Sequence, residues 1–398
     1  MMDAKMPETE QFVPYEIRNE IALILTCSQW SITKDTRETI VNHLKKELNW
    51  DYVFRQAERH WLIPLLYYTL KLTAPELVPE DILERMNEIY LSSMKQSMIQ
   101  ASELLQVIQL GKDHEIPIIP YKGVALSQQI YGDIGLRISS DIDIIVRQQD
   151  MIRAKALLIS QGYSHRISLT PEQDKKFIQV RCEYDLYHPL RTTIDIHWQF
   201  IPYYYLAPFE ETDIWSGLKV ISLEGQEIFA LSSEMLIIAL CIHGAKHQWK
   251  ELRQISDIAG IIASEKDINW KLILKIAREK RIERIISLGL RLVEELMKTD
   301  LPPFVSEAIK RDCVAQHLVS SSIDTLFTEE QNPGGDIQEV LYWVSVRECL
   351  YDKIRVISLL VFKPNHDDWA YISLPVILSP LYYVIRPVRL AFEYGVKG

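Results

Sequence analysis

Two short stretches of strict alternation constrain this chain more than any other feature: Asp141-Ile142-Asp143-Ile144-Ile145-Val146 and Thr193-Ile194-Asp195-Ile196-His197-Trp198. In an extended strand successive side chains point to opposite faces, so Asp141 and Asp143 share one face and Ile142 and Ile144 the other. Asp195 and His197 are related in the same way, with Ile194 and Ile196 behind them. The apolar faces suit a core. The carboxylates are left side by side, where each raises the other's cost of ionisation, so a cation is expected among them. A divalent ion with oxygen ligands meets that need, and Mg²⁺ commonly binds through one or two carboxylates together with substrate phosphates. Taken alone, Asp-Ile-Asp also suits a half-exposed edge strand with solvated charges. The Gly-containing turn before it, the helical pattern after it and the second acid-bearing strand favour a site.

The stretch 116–121 is a short apolar run consistent with a strand, and Gly123 breaks it before a helix that reaches residue 131. Backbone amides at a helix N-terminus favour anions, and Lys122 adds a cation, so this strand, turn and helix suit a triphosphate. Arg137, four residues before Asp141, is placed either to pair with the acidic cluster or to reach a phosphate. Downstream, His243, Lys246, His247 and Lys250 have the spacing of one helix face, read either as a basic wall facing the acidic strand or as a solvated surface. The His-x-x-x-His pair invites zinc, but Gly244 stands where a zinc-protease motif has its general-base Glu, so zinc is not expected.

Together these features resemble the nucleotidyltransferase fold of the DNA polymerase β superfamily, in which a Gly turn and short helix lead to an Asp-x-Asp strand and a later strand adds a third carboxylate. More closely, Lys122-Gly123, Arg137, Asp141-Ile142-Asp143, Asp195-Ile196-His197-Trp198 and His243-Gly244-Ala245-Lys246-His247 look like a bacterial family of uncharacterised nucleotidyltransferases, with matches from about Trp50 to the C-terminus. The resemblance implies an α+β protein whose small mixed sheet is flanked by N- and C-terminal helical regions. Asp141, Asp143 and Asp195 would be its catalytic and metal-binding residues, with Mg²⁺, or Mn²⁺ in its place, as the cofactor. Lys122, Gly123, Arg137, His197, His243, Lys246 and His247 would bind the nucleotide. Lys-Gly-Val departs from the Gly-Ser or Gly-Gly of the wider superfamily. The implied reaction moves a nucleoside monophosphate from a nucleoside triphosphate to a hydroxyl of a small molecule, peptide or sugar. Phosphoryl or pyrophosphoryl transfer from the same cradle, and an inactive nucleotide-binding scaffold, are the alternatives.

Composition sets limits around this reading. The 398 residues carry a net charge of -10, which argues against general polyanion binding and hence against nucleic acid as a partner. Five cysteines without C-x-x-C spacing suit reduced thiols, and the first residues lack a basic-then-apolar leader, so a cytoplasmic location is expected. Residues 1–13 read as a disordered tail and 14–114 as helical, including a long helix over 79–114 with Met86, Tyr90, Met94 and Met98 along one side. A catalytic α/β domain is expected over 115–225, with strands near 163–169 and 178–188. Helices follow over 226–330, a loop at Asn332-Pro333-Gly334-Gly335, and a C-terminal helical segment over 331–398. Within the last, residues 374–387 are apolar but broken by three prolines and an arginine. Spanning a membrane takes about 20 apolar residues, so packing on the protein, or at most peripheral membrane contact, is expected there.

Overall fold

The alternation of the two acid-bearing stretches becomes a sheet. The computed structural model describes residues 18–29, 32–165, 171–202, 205, 209–328, 336–362, 368, 371–372, 374 and 376–395. Strands β1 (Ile118–Pro120), β2 (Asp141–Val146), β3 (Glu183–His188) and β4 (Arg191–His197) form one sheet in the order β1-β2-β4-β3. The central β2 and β4 run parallel and the outer pairings are antiparallel, so the sheet is mixed. Its register sets Asp143 beside Asp195 and Ile144 beside Ile196. The back face, formed by Ile142, Ile144, Ile194, Ile196, Tyr184 and Leu186, is buried throughout. Removing such side chains from water stabilises the protein by about 1.5–3 kcal/mol each, and slipping one strand by a residue would exchange them for the acids.

Helices surround this sheet, making the protein α+β. Before it come α1 (Asn19–Cys27), α2 (Lys34–Leu44), α3 (Trp50–Arg59), α4 (Ile63–Thr73) and α5 (Glu80–Asp113). Helices α3 and α4 are separate because Trp61 takes a left-handed φ of 60° and Pro64 opens the second of them. The long helix forms over 34 residues, but its methionines do not share one environment: Met86 is fully buried and Met98 is 57% exposed. Its inward face turns polar instead. Ser93 donates to the carbonyl of Gly135 (2.9 Å), and Gln100 donates to that of Ser139 (3.0 Å), fastening the loop that leads into β2. Farther along, Leu104 and Ile108 join the core behind the sheet.

After β1 the chain forms α6 (Gly123–Tyr131), and after β2 it forms α7 (Met151–Ser160) and α8 (Pro171–Val180). The strand expected from 178 therefore begins only at Glu183. The chain is helical over Pro171–Val180, where the sequence opens on a proline. Of the strand expected near 163–169, Ser164 makes a single bridge to Tyr187, and residues 166–170 lie outside the described residues. A short α9 (Glu211–Trp215) precedes the hairpin of β5 (Lys219–Leu223) and β6 (Gln226–Ala230), whose tip holds residue 225.

The chain then continues through α10 (Ser233–Lys246), α11 (Leu252–Ser264), α12 (Trp270–Glu279) and α13 (Glu283–Met297). The Ser232 hydroxyl caps α10 by accepting from the Met235 amide (3.2 Å), as serine at that position favours. Helices α14 (Pro303–Ile309), α15 (Cys313–Phe327), α16 (Asp336–Ser345), α17 (Leu350–Phe362) and α18 (Tyr382–Gly395) complete the chain. Arg386 and Arg389 of α18 reach back to the fully buried Asp368 (3.1 and 2.8 Å), ion pairs within the C-terminal segment. No helix among the described residues is long and apolar enough to cross a membrane. The first 17 residues and the Asn332-Pro333-Gly334-Gly335 loop lie outside the described residues.

His60 links the N-terminal helices to α11: it is fully buried and accepts from the Leu252 amide at Nδ1 (3.2 Å). Burial, aided by neighbouring Arg59, lowers its pKa from 6.5 to about 4. A base whose folded pKa is depressed stays neutral in the native state while the unfolded chain takes up the proton. Its contribution is therefore intact above pH 6.5 and is lost as pH falls toward 4, by about 3 kcal/mol. Urea midpoints at pH 7 and 4.5 should fall accordingly, and the His60→Asn protein, whose amide oxygen can still accept from Leu252, should show a flatter pH dependence.

Candidate active site

The site grows out of two local features, the turn after β1 and the acid-bearing face of the sheet. Tyr121 is buried and donates its hydroxyl to the Ala239 carbonyl on α10 (3.1 Å), which anchors the end of β1. Gly123 then opens α6 with φ +58°, a conformation costing an L-residue about 1–2 kcal/mol although a Cβ would meet nothing closer than 3.5 Å. The glycine is required here for its backbone rather than for space. This turn brings Lys122 back over the sheet, where its Nζ lies 3.0 Å from Asp143 Oδ1.

On the front of the sheet, Asp141 and Asp143 of β2 lie beside Thr193 and Asp195 of β4, and Asp185 of β3 lies beyond Asp195. Asp143 is nearly buried. The His197 ring Nε2 is 2.8 Å from the same Oδ1 that Lys122 meets. Against the cost of its burial, Lys122 and His197 hold the Asp143 carboxyl well below the usual carboxylate range, so it is ionised and Nε2 donates to it. Asp195 has the opposite fate. Burial, then the charges of Asp143, Asp141, Asp185 and Glu183, push it up from 3.8 to about 8. Asp141 is raised as well, first by burial and then by Asp143, even though the Ser139 hydroxyl lies 3.3 Å from its Oδ1. The front face thus carries more carboxylate charge than its own cations balance.

That imbalance tests the fit of a metal. Donor atoms of Asp143, Asp195 and His197 lie within 4.8 Å of one another, close enough to share an ion. Carboxylate oxygens suit a hard divalent cation, which would also relieve Asp195. His197 already directs Nε2 at Asp143, so as placed it orients a carboxylate.

The other expected site residues are each held by an acid or a ring. Arg137 is buried and makes a bidentate pair with buried Asp257 of α11 (2.9, 3.1 and 3.0 Å), while its charge also favours ionisation of Asp141. Its ion-pair partner is thus Asp257 of α11 and not a carboxylate of β2. Lys246, at the end of α10, reaches both oxygens of Glu183 (2.9 and 3.0 Å). His243 and His247 lie one turn apart with ring centroids 4.6 Å from each other. Burial, then nearby lysines, lower both, His247 to about 4. Lys250 leaves this face. The helix ends at Lys246, and Gln248 and Trp249 take positive φ to fold the chain back. Gly244 is needed for that return, since a Cβ there would collide with the Trp249 ring.

Sequence reading missed Glu183, which lies opposite His197 on β3 and has an Oε2 3.4 Å from His197 Nδ1. Its signal was present in the alternation Glu183-Tyr184-Asp185-Leu186, the same pattern as on β2 and β4. The five cysteines are free, with Cys27, Cys182 and Cys241 buried.

A strand-turn-helix cradle over a mixed sheet with carboxylates on its two central strands is an arrangement suited to nucleotidyl transfer. Residues 46–298, well over half of the chain, match the family described as uncharacterised nucleotidyltransferase. The chain belongs to that family. No curated protein matches it. Among solved structures it is similar to an antigenic nucleotidyltransferase-like protein from Paracoccidioides brasiliensis, at 16% identity and a TM-score of 0.35, over 54% of this chain and 94% of that one.

The Arg137–Asp257 pair sets a testable energetic limit. Removing one partner leaves an uncompensated buried charge, so Arg137→Met should cost about 3–5 kcal/mol in chemical denaturation. Adding Asp257→Leu should recover most of that loss.

Proposed function

We propose that this protein is a metal-dependent nucleotidyltransferase, related to the DNA polymerase β-like enzymes, that transfers a nucleoside monophosphate from a nucleoside triphosphate to a hydroxyl of a small molecule, peptide or sugar. The observation that carries this reading is the registered set Asp141, Asp143 and Asp195, which strand pairing brings together on one face beside His197. Asp141, Asp143 and Asp195 would hold Mg²⁺, or Mn²⁺ in its place. When bound, the ion supplies positive charge to the triphosphate and to the oxygens that enter and leave phosphorus. The amides that open α6 after Gly123 favour the triphosphate's negative charge, and Lys122, close to Asp143, adds a cation beside it. Positioning and charge neutralisation are the main requirements of such a transfer. The acceptor oxygen forms a bond to the α-phosphorus as the bond to pyrophosphate breaks. Asp195 either completes the metal site or takes the acceptor's proton, a task that favours a base whose pKa lies near the working pH. His243, His247 and Lys246 wall the same side on α10 and would face the nucleotide. A supply of nucleoside triphosphates and free thiols suit the cytoplasm.

Nucleoside triphosphate should raise the melting temperature only with Mg²⁺ or Mn²⁺ present, because phosphates and carboxylates otherwise repel. Equal stabilisation in EDTA would reject metal bridging. Asp141→Asn and Asp143→Asn should each abolish transfer while leaving the protein folded. Asp195→Asn should lose turnover and can retain triphosphate binding. Incubation with α- and γ-labelled ATP and a cell extract as the source of acceptor, with the Asp141→Asn protein as control, identifies the phosphorus attacked. Label should reach the acceptor from the α position. Transfer from γ alone would make the enzyme kinase-like, and no transfer from any of the four nucleotides would make it a scaffold.

A further inference from the structure

The geometry assigns Glu183 a positioning role: through His197 it fixes the Asp143 carboxylate so that one oxygen is held by protein donors and the other remains for a cation. The assignment rests on the reading that Asp143 is a metal-binding carboxylate. Four contacts run in series across α10, β3, β4, β2 and the turn before α6. Lys246 of α10 meets both Glu183 oxygens at 2.9 and 3.0 Å, and Glu183 Oε2 lies 3.4 Å from His197 Nδ1. His197 Nε2 is 2.8 Å from Asp143 Oδ1, and Lys122 Nζ is 3.0 Å from that same atom. Both donors therefore converge on Oδ1, and neither is paired with Oδ2.

The arrangement follows from the register. Glu183 pairs directly with His197 across β3 and β4, so the two side chains share the front face. The Tyr121 ring packs edge-on against the imidazole, with centroids 5.4 Å apart and an interplanar angle of 79°. The His197 and Asp143 side chains are each 5% exposed, which leaves water little part in orienting them. An imidazole nitrogen is aimed by what its second nitrogen faces, and here that is a carboxylate held in place by a lysine, at ion-pair distance rather than in a hydrogen bond. Lys246 thus acts on the acidic site from two residues away, through Glu183.

A purely structural Glu183 would only fasten α10 to the sheet, and a cation-binding readout separates the two roles. Mn²⁺ binding should be measured by electron paramagnetic resonance on the full-length protein, without nucleotide and with ATP. Glu183→Gln should weaken Mn²⁺ binding about 10–100-fold, the range typical of residues that orient metal ligands. Asp143→Asn serves as the reference for a lost ligand. Glu183→Asp keeps the charge for Lys246 but draws it back from the ring, and should fall between wild type and Glu183→Gln. Wild-type Mn²⁺ affinity in Glu183→Gln, with or without a lower melting temperature, would overturn the assignment. If Glu183→Gln does not fold, wild-type affinity in Glu183→Asp overturns it as well. Failure of the wild-type protein itself to bind Mn²⁺ in either condition would instead reject the metal-dependent reading, so the two failures are distinct.

Discussion

The constraint on which this molecule depends is electrostatic: parallel pairing of β2 and β4 sets Asp143 beside Asp195, with Asp141 and Asp185 next to them on one face. Like charges in such positions oppose folding unless they are protonated, paired or shared with a cation. The first two outcomes divide this face. Asp143 is paired, through Lys122 and His197. Asp195 is pushed toward protonation, and the unbalanced charge of the whole cluster invites an ion. The apolar back face makes this tolerable, since Ile142, Ile144, Ile194 and Ile196 can be buried only in the register that brings the acids together.

The surrounding helices are arranged around that compromise. Helix α5 holds the loop into β2 through Ser93 and Gln100, and α10 meets the sheet twice, at Tyr121 and at Glu183. Arg137 joins α11 to the segment just before β2. Each tie is polar and reaches the sheet or a segment next to it, so the helical parts of the chain fix the geometry of the acidic face as well as supply its core. Membership of the nucleotidyltransferase family agrees with this division, because the matched residues run from the N-terminal helices through α13 and include every tie named here.

Much of the arrangement was legible before any coordinates. The period of two in Asp141-Ile142-Asp143-Ile144 defines a strand and its two faces, Gly123 marks the break before α6, and the long helix ends within a residue of the expected limits. The same periodicity misled at 178–188, where the helix that opens on Pro171 runs to Val180. The Met86 to Met98 spacing put these residues along one side of α5 and left their burial open. Helical spacing says which residues share a side, whereas burial depends on what packs there, and along α5 the neighbouring loop accepts Ser93 and Gln100 instead.

The sequence by itself determined which residues alternate, and hence that Asp141 and Asp143, and separately Asp195 and His197, must share a face. Alternation is a local property of the extended backbone. Only the tertiary structure decided the partners. That Arg137 serves Asp257 rather than the acids of β2, that Lys246 is committed to Glu183, and that Lys122 and His197 converge on one oxygen of Asp143 are all long-range contacts. They depend on strand register and on where α10 and α11 dock.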